Sequence, residues 1–457
     1  MKNEPSSKVS RRTFLGKAAA AAAVPALFHV VPRSVLGGPG HKPPSEKLNI
    51  AGIGVGGQGF GDLMALRSEN IVALCDVDEK HAAHAFNALP NARKHRDYRK
   101  MLEQQKDIDA VVVATPDHLH AIVSLTAMQL GKHVYCEKPM AHSIQELRLM
   151  AQAARKYKLA TQMGNQGNAR EGVRLMCEWI WDGAIGPVRE VHAWTNKPTW
   201  PQGIDRPKDT PPVPATLDWD LWLGPAPERP YHPAYLPFVW RGWWDFGSCA
   251  LGDMACHVLN NVVRPLKLGH PTSVEAYATK VNSETGPLAS IIYFHFPARE
   301  SMPPVRLSWY DGGMMPPRPE ELESDRRMGD NEGVLFVGDK GKLMCSCYGD
   351  GPRLIPESKM KEYRRPPKTL PRSPGHHKEW IDFCKGGPPA GSNFEAAEPL
   401  TAIVLLGNVA IRSCQRRSQN GYDAKIEWDP ANMKITNAPD ANKYLQCEYR
   451  KGWPLSV

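Results

Sequence analysis

The sequence predicts an α/β protein in which a doubly wound parallel sheet precedes an α/β domain with a large, open mixed or antiparallel sheet. Three observations predict it. The β-prone run Leu48–Ile53 meets glycine-rich sequence directly. Further β-prone runs then alternate with helical segments as far as Met163, the pattern of strands joined by crossover helices. Beyond residue 165 the texture changes to strand-like runs broken by a long Pro- and Trp-rich stretch. A chain of 457 residues is also too long for one ordinary core and suits two domains plus an extension.

Residues 1–37 read as an address. Ser10-Arg11-Arg12-Thr13-Phe14-Leu15-Gly16-Lys17 is a twin-arginine signature, followed by the apolar runs Ala18–Ala23 and Val24–Val31. That stretch is too short and Ala-rich to be expected as a stable membrane span. It implies the Tat export machinery as a partner and a periplasmic or otherwise exported destination. Val24-Pro25-Ala26 and Val35-Leu36-Gly37 both offer a cleavage site, and an uncleaved anchor stays open. The segment also biases the charge. It holds six Lys/Arg and one Glu, so of the formal +9 about +4 belongs to the rest. No Lys/Arg run or Arg/aromatic stripe follows, which argues against nucleic-acid binding.

Residues 38–46 form a Gly/Pro-rich linker, and residues 47–165 the first domain. Its strands are expected at Leu48–Ile53, Ile71–Cys75, Ala110–Ala114, Val134–Cys136 and Ala160–Met163. Its helices are expected near Glu79–Ala88, Tyr98–Gln104, His120–Leu130 and Ile144–Tyr157, where apolar residues recur at three- and four-residue spacing. Residues 166–428 form the second domain. Strands are expected at Val188–Trp194, Ser273–Lys280, Ala289–Phe296, Val305–Tyr310, Gly333–Val337 and Lys342–Ser346, a loop at Pro316–Asp330 and an apolar helix at Ala396–Ser413. Residues 429–457 read as an irregular tail. The ten cysteines show no disulfide framework and no zinc spacing, so no metal site is expected; one or two disulfides could form after export.

Gly54-Val55-Gly56-Gly57-Gln58-Gly59 follows the first strand and fits G-x-G-x-x-G; Gly52–Gly57 fits it too, two residues earlier. Such glycines let the backbone turn tightly and approach a pyrophosphate resting on the next helix's amides. Asp76 follows about 20 residues on, at the end of the second strand, where a carboxylate can accept bonds from an adenosine ribose. It repels a 2′-phosphate, so NAD is favoured over NADP. Three further segments leave the carboxyl ends of strands, the ligand edge of such a sheet. They are Thr115-Pro116-Asp117-His118-Leu119-His120, Glu137-Lys138-Pro139 and Met163-Gly164-Asn165-Gln166-Gly167-Asn168. A Lys at Lys138 can stabilise an alkoxide as hydride leaves a carbinol. Asp253 and His257 stand four apart and share one helix face, and an imidazole can take an alcohol's proton near neutrality. Seven of thirteen Trp lie between Trp194 and Trp244, crowding Arg241 with Trp240, Trp243 and Trp244. Aromatic faces suit sugar rings, and Arg241 or Asp245 could bind hydroxyls; the same Trp could equally pin a long loop.

On Gly54/Gly56/Gly59, Thr115-Pro116 with His120, Glu137-Lys138-Pro139 and Asp253…His257, the chain resembles the glucose–fructose oxidoreductase/inositol dehydrogenase (Gfo/Idh/MocA) family from about Leu48 to Gln415. The resemblance implies a Rossmann domain, a C-terminal α/β domain whose open sheet forms a homo-oligomer interface, and a catalytic pair falling on Lys138 and His257. Asp253 matches the family's substrate-positioning Asp. The cofactor set implied is Gly54, Gly56, Gln58, Gly59, Asp76, Thr115, Pro116, His120, Glu137 and Lys138, with NAD as cofactor. Asn165, Gln166, Arg241, Trp243 and Asp245 are the candidate contacts to a carbohydrate. Where many relatives carry an Arg after the strand ending near Met163, this chain has Asn165-Gln166-Gly167. The insert Lys197–Phe246 and Trp428-Asp429 look like a Tat-signal-bearing branch. The expected function is hydride transfer between a sugar, polyol or glycoside hydroxyl and a tightly held nicotinamide. Two alternatives stand beside it: a redox-neutral glycoside-cleaving enzyme of the same family, and a non-catalytic exported sugar-binding protein.

Overall fold

The computed structural model describes residues 46–329, 331–417 and 425–455, so the twin-arginine segment and nearly all of the linker lie outside the described residues. Six strands build the first sheet: β1 Asn49–Ile53, β2 Asn70–Cys75, β3 Arg93–His95, β4 Ala110–Val113, β5 His133–Glu137 and β6 Thr161–Gly164. Their order is β3-β2-β1-β4-β5-β6, every pair parallel. The order reverses between β1 and β4, and at such a switch point the strand ends splay into a crevice. Helices cover both faces, so central strands such as β4 (Ala-Val-Val-Val) are wholly buried and read as unbroken apolar runs. Side chains start the helices where expected. Asp78 accepts from the Lys80 and His81 amides, and Ser143 with Glu146 forms a capping box on Ile144–Tyr157. The edge strand β3, Arg-Lys-His, carries no apolar residue and so left no trace in the hydrophobic pattern.

The second sheet has nine strands in the order β13-β12-β11-β7-β10-β9-β8-β14-β15. They are β7 Val188–Thr195, β8 Ser273–Ala278, β9 Ser290–Phe296, β10 Val305–Tyr310, β11 Glu332–Gly338, β12 Gly341–Ser346, β13 Arg353–Ile355, β14 Lys425–Asp429 and β15 Lys434–Ile435. β7 and β10 run parallel and their other neighbours antiparallel, so the sheet is mixed. One face packs beneath the helices Cys249–Val258 and Phe394–Arg417 in the main core. On the other face Trp194, Tyr310, Leu335 and Met344 are covered by Leu322 and Met314 from the loop ahead of β11. The helix stretch Phe394–Cys414 is long and apolar enough to cross a membrane, but 78% of its most apolar window is buried inside the protein, as a core helix would be. The tail is more ordered than expected. β14 and β15 extend the sheet, and Ala441, Leu445 and Trp453 enter the main core. Among the described residues all ten cysteines are free, seven of them buried.

The insert between β7 and the helix Cys249–Val258 has little regular structure and is held by its own aromatic core. Leu217, Trp222, Tyr235, Leu236, Trp243 and Phe246 are buried together. His118, on the Rossmann helix Asp117–Gln129, reaches into it. Its ring nitrogens face the Phe246 and Trp222 carbonyls at 3.2 and 3.1 Å. Trp243 is 1% exposed, and its indole N–H donates to the Ala234 carbonyl at 2.8 Å. Trp243→Ala is therefore expected to cost about 3–5 kcal/mol of stability, read as a lower urea midpoint at unchanged m-value.

Candidate active site

The glycine loop begins where β1 ends. Gly54 holds φ +79°, and a Cβ there would lie 2.7 Å from the Ala114 carbonyl oxygen. A Cβ on Gly56 would strike the His81 ring, and one on Gly59 would sit 2.1 Å from the Gly54 oxygen. The register starting at Gly54 is thus the one the backbone requires. The helix Gln58–Ala65 follows with no side-chain cap, leaving its first amides toward the loop. The residues fit a dinucleotide: a cradle free of Cβ atoms, an uncapped helix start, and the Asp76 carboxylate at the end of β2.

These elements open into a cleft of about 570 Å³ lined by the glycine loop, Asp76, Thr115, Lys138, Arg241, Asp253 and His257. Asp76 lines the cleft and also shapes it. Its Oδ2 accepts from the Val55 and Gly56 amides at 2.8 and 3.1 Å, and its Oδ1 from the Asp78 amide at 3.0 Å. Burial raises its carboxyl above the ordinary value, opposed by those amide bonds. Thr115 Oγ1 is buried on the cleft wall with no partner among the described residues. His120 lines the wall while its ring nitrogens lie 2.7 and 2.8 Å from the Pro139 and Thr115 carbonyls, tying two cleft loops together. The Gln58 side chain, also on the wall, donates to Asp62 at 3.1 Å.

Lys138 at the end of β5 and Asp253 on the helix Cys249–Val258 meet across the cleft, Nζ to Oδ1 at 2.8 Å, both largely buried. Arg241 Nε donates to the same Oδ1 at 2.8 Å. Burial pushes the Asp253 carboxyl up, but the two cations outweigh it and hold it well below the carboxylate range. Burial pulls the Lys138 ammonium down, and Asp253 more than restores it. One helical turn on, His257 is pulled to about 3 by burial and then by Lys138, so its imidazole is neutral. Its Nδ1 is buried without a partner among the described residues. Glu137 is raised well above its ordinary value, first by burial and then by Asp62; the Gln166 amide donates to it at 3.1 Å.

Three expected substrate contacts are placed elsewhere. The Trp243 ring is locked in the insert's core, and Asp245 pairs with the buried Arg229. Asn165 is buried between Asn260 and Ser392, its amide donating to Asn260 at 3.1 Å. None of the three lines the cleft, because packing satisfies their polar atoms away from it. Gln166 and Arg241 do line it, with Pro116 and Glu137. Sequence reasoning missed Tyr348, whose ring lies 5.0 Å from that of His257, and Phe238 and Trp453, both on the wall. Among the described residues no three His, Cys, Asp or Glu side chains are grouped to hold a metal ion.

A glycine cradle on a parallel sheet, with a Lys–Asp pair that spans the two domains and a neutral His on the second, is the layout of a two-domain dinucleotide-binding protein. Two family models agree. "Oxidoreductase family, NAD-binding Rossmann fold" matches residues 47–165, and "Oxidoreductase family, C-terminal alpha/beta domain" matches residues 187–293. The chain belongs to the Gfo/Idh/MocA oxidoreductase family. It is 27% identical to levoglucosan dehydrogenase of Pseudarthrobacter phenanthrenivorans over 228 residues, 47% of this chain and 50% of that one. It is 28% identical to inositol 2-dehydrogenase of Salmonella typhimurium over 150 residues, 32% and 44% of the two chains. The matches thus span half or less of these relatives' length. In fold it is similar to the WlbA dehydrogenase of Bordetella pertussis solved with NADH and UDP-GlcNAcA: TM-score 0.58 at 18% identity, covering 84% of this chain and 99% of that one.

Lys138→Met is expected to raise the His257 pKa from about 3 toward, but not to, its ordinary 6.5, since burial remains when the ammonium is gone. Histidine-ring NMR titration reads this directly; an unmoved resonance would sink the proposed electrostatic coupling.

Proposed function

We propose that the protein is an exported, NAD-dependent oxidoreductase that transfers hydride between a carbohydrate CH–OH group and a tightly held nicotinamide. The observation that carries this reading is the convergence of Lys138, Asp253 and neutral His257 on one wall of the cleft that the glycine loop opens. The nicotinamide, when bound, supplies the two-electron acceptor or donor. His257 takes the hydroxyl proton. With Nδ1 buried, the Nδ1–H tautomer leaves Nε2 to accept it. Lys138 meets the oxygen as negative charge develops on it. Asp253, kept ionised, accepts from a neighbouring hydroxyl and orients the sugar. Trp240 and Tyr348 line the cleft as aromatic neighbours for the ring.

Export rests on the twin-arginine signature of residues 10–17 and a periplasmic or otherwise exported destination with it. Outside the cytoplasm free dinucleotide is scarce, so a cofactor carried in and regenerated by a second substrate fits that route. Homo-oligomer formation through the second sheet is supported by its exposed Tyr277, which packs edge-on against Tyr293.

Mass spectrometry of the denatured protein, purified from a Tat-competent host, is expected to release close to one NAD(H) per chain. No dinucleotide, and none bound on titration, would overturn the reading. Once a substrate is found, Lys138→Ala and His257→Ala should each lower kcat about 10²- to 10⁴-fold. The acid side of kcat/KM should stay level as pH falls through 6.5, because the base gains its proton only near 3. An acid limb centred at 6.5 would remove His257 as the base.

A further inference from the structure

We infer that the carbohydrate carries a carboxylate, and that Arg241 receives it. This rests on the oxidoreductase reading and names its substrate class. Asp253 Oδ1 accepts from both Lys138 Nζ and Arg241 Nε, so one carboxylate answers two cations. The cations still repel each other, for Arg241 acts to lower the Lys138 ammonium. Among the described residues no other carboxylate bonds Lys138 Nζ or the Arg241 guanidinium. Glu137 is held toward its uncharged acid and His257 is neutral. Asp117 is buried, with Oδ2 taken by the Ser248 amide at 3.0 Å, and Tyr348 is a phenol pushed above its ordinary range by burial.

Arg241 is also built to wait for a ligand. Its guanidinium lies 4.4 Å from the ring centres of both Phe238 and Trp240. Nε is fixed by Asp253, and Nη1 donates to the Phe238 carbonyl at 3.1 Å. Nη2 has no hydrogen-bond partner among the described residues, and the side chain lines the cleft at 19% exposure. Phe238 supplies both a ring and the carbonyl from φ +64°, a conformation costly for a bulky residue, so the surrounding fold enforces this geometry. A planar guanidinium edge matches a carboxylate. A surplus of one positive charge also suits a carboxylate better than a phosphate monoester, which carries about −1.5 to −2. The carboxylate changes no bonds: the carbinol loses hydride to the nicotinamide and its proton to His257, giving a keto acid.

The test uses the full-length protein with its bound dinucleotide and matched trios: glucose, glucuronate and glucose 6-phosphate, and the galactose set. Aldonates are added to widen the acids. Nicotinamide reduction is followed by absorbance and binding by calorimetry. The acids are expected to exceed the parent hexoses by about 10- to 100-fold in kcat/KM or in affinity. Arg241→Gln should collapse that ratio, and Arg241→Lys, which keeps the charge and guards against misfolding, should keep part of it. Preference for hexoses or 6-phosphates, or an acid preference untouched in Arg241→Gln, overturns the inference, as does failure of every acid to bind. Reduction by neutral hexoses alone overturns the carboxylate while keeping the oxidoreductase. Arg241-dependent acid binding without reduction does the reverse.

Discussion

The site depends on the ion pair between Lys138 and Asp253. It joins the residue that follows β5 of the Rossmann sheet to a helix of the second domain, residues 115 apart in sequence and 2.8 Å apart in space. Two largely buried charges are costly to desolvate, and a pair of this kind recovers that cost only when well aligned. Removing Asp253 would leave the Lys138 ammonium stranded, at about 3–5 kcal/mol. The same pair sets the protonation of its neighbours. Lys138 keeps Asp253 ionised and helps keep His257 neutral, so an acceptor for hydroxyls and an acceptor for a proton stand one helical turn apart. Arg241 then completes the cluster on the oxygen Lys138 already uses.

Around this cluster the Pro- and Trp-rich insert does two jobs with one composition. Most of its aromatic surface builds a small core, stitched to the Rossmann helix through His118 and by the buried Arg229 between Tyr235, Phe246 and Asp245. That core makes a segment with little secondary structure rigid enough to present a few side chains outward. Phe238, Trp240 and Arg241 are the ones it presents. A loop pinned this way can hold a stacked guanidinium in place, which a solvated loop could not.

Much of the fold was legible because it is written locally. The glycine loop, the apolar runs of β1, β2, β4, β5 and β6, and helices such as Ile144–Tyr157 carry their signal in adjacent residues. β3 was not legible because an edge strand needs no apolar face, β14 because its alternation runs for only five residues, and β15 because two residues carry no period. In the site, Lys138 was marked by its place at the carboxyl end of a strand and Asp253 with His257 by their four-residue spacing; that Lys138 meets the other two came only from motif resemblance. Trp240 lines the cleft and Trp243 does not, although they sit three residues apart. In an irregular loop no period tells which ring turns outward. Tyr348 follows a hairpin strand and Trp453 lies in the tail, so neither had a local mark at all.

Trp453 shows how the cleft is closed. The tail docks on the Rossmann domain through Tyr449, whose hydroxyl donates to Glu146 at 2.6 Å, and on the insert through Arg450, which donates to the Gly224 carbonyl and pairs with Asp220 at 2.6 Å. That docking sets the Trp453 ring against the Arg99 guanidinium, 4.3 Å away, on the cleft wall. The wall is therefore assembled from the glycine loop near residue 55, the insert near residue 240 and the tail near residue 453. A dinucleotide lying along it would touch segments that only the finished fold brings together, so binding would require folding first and release would require part of that wall to move.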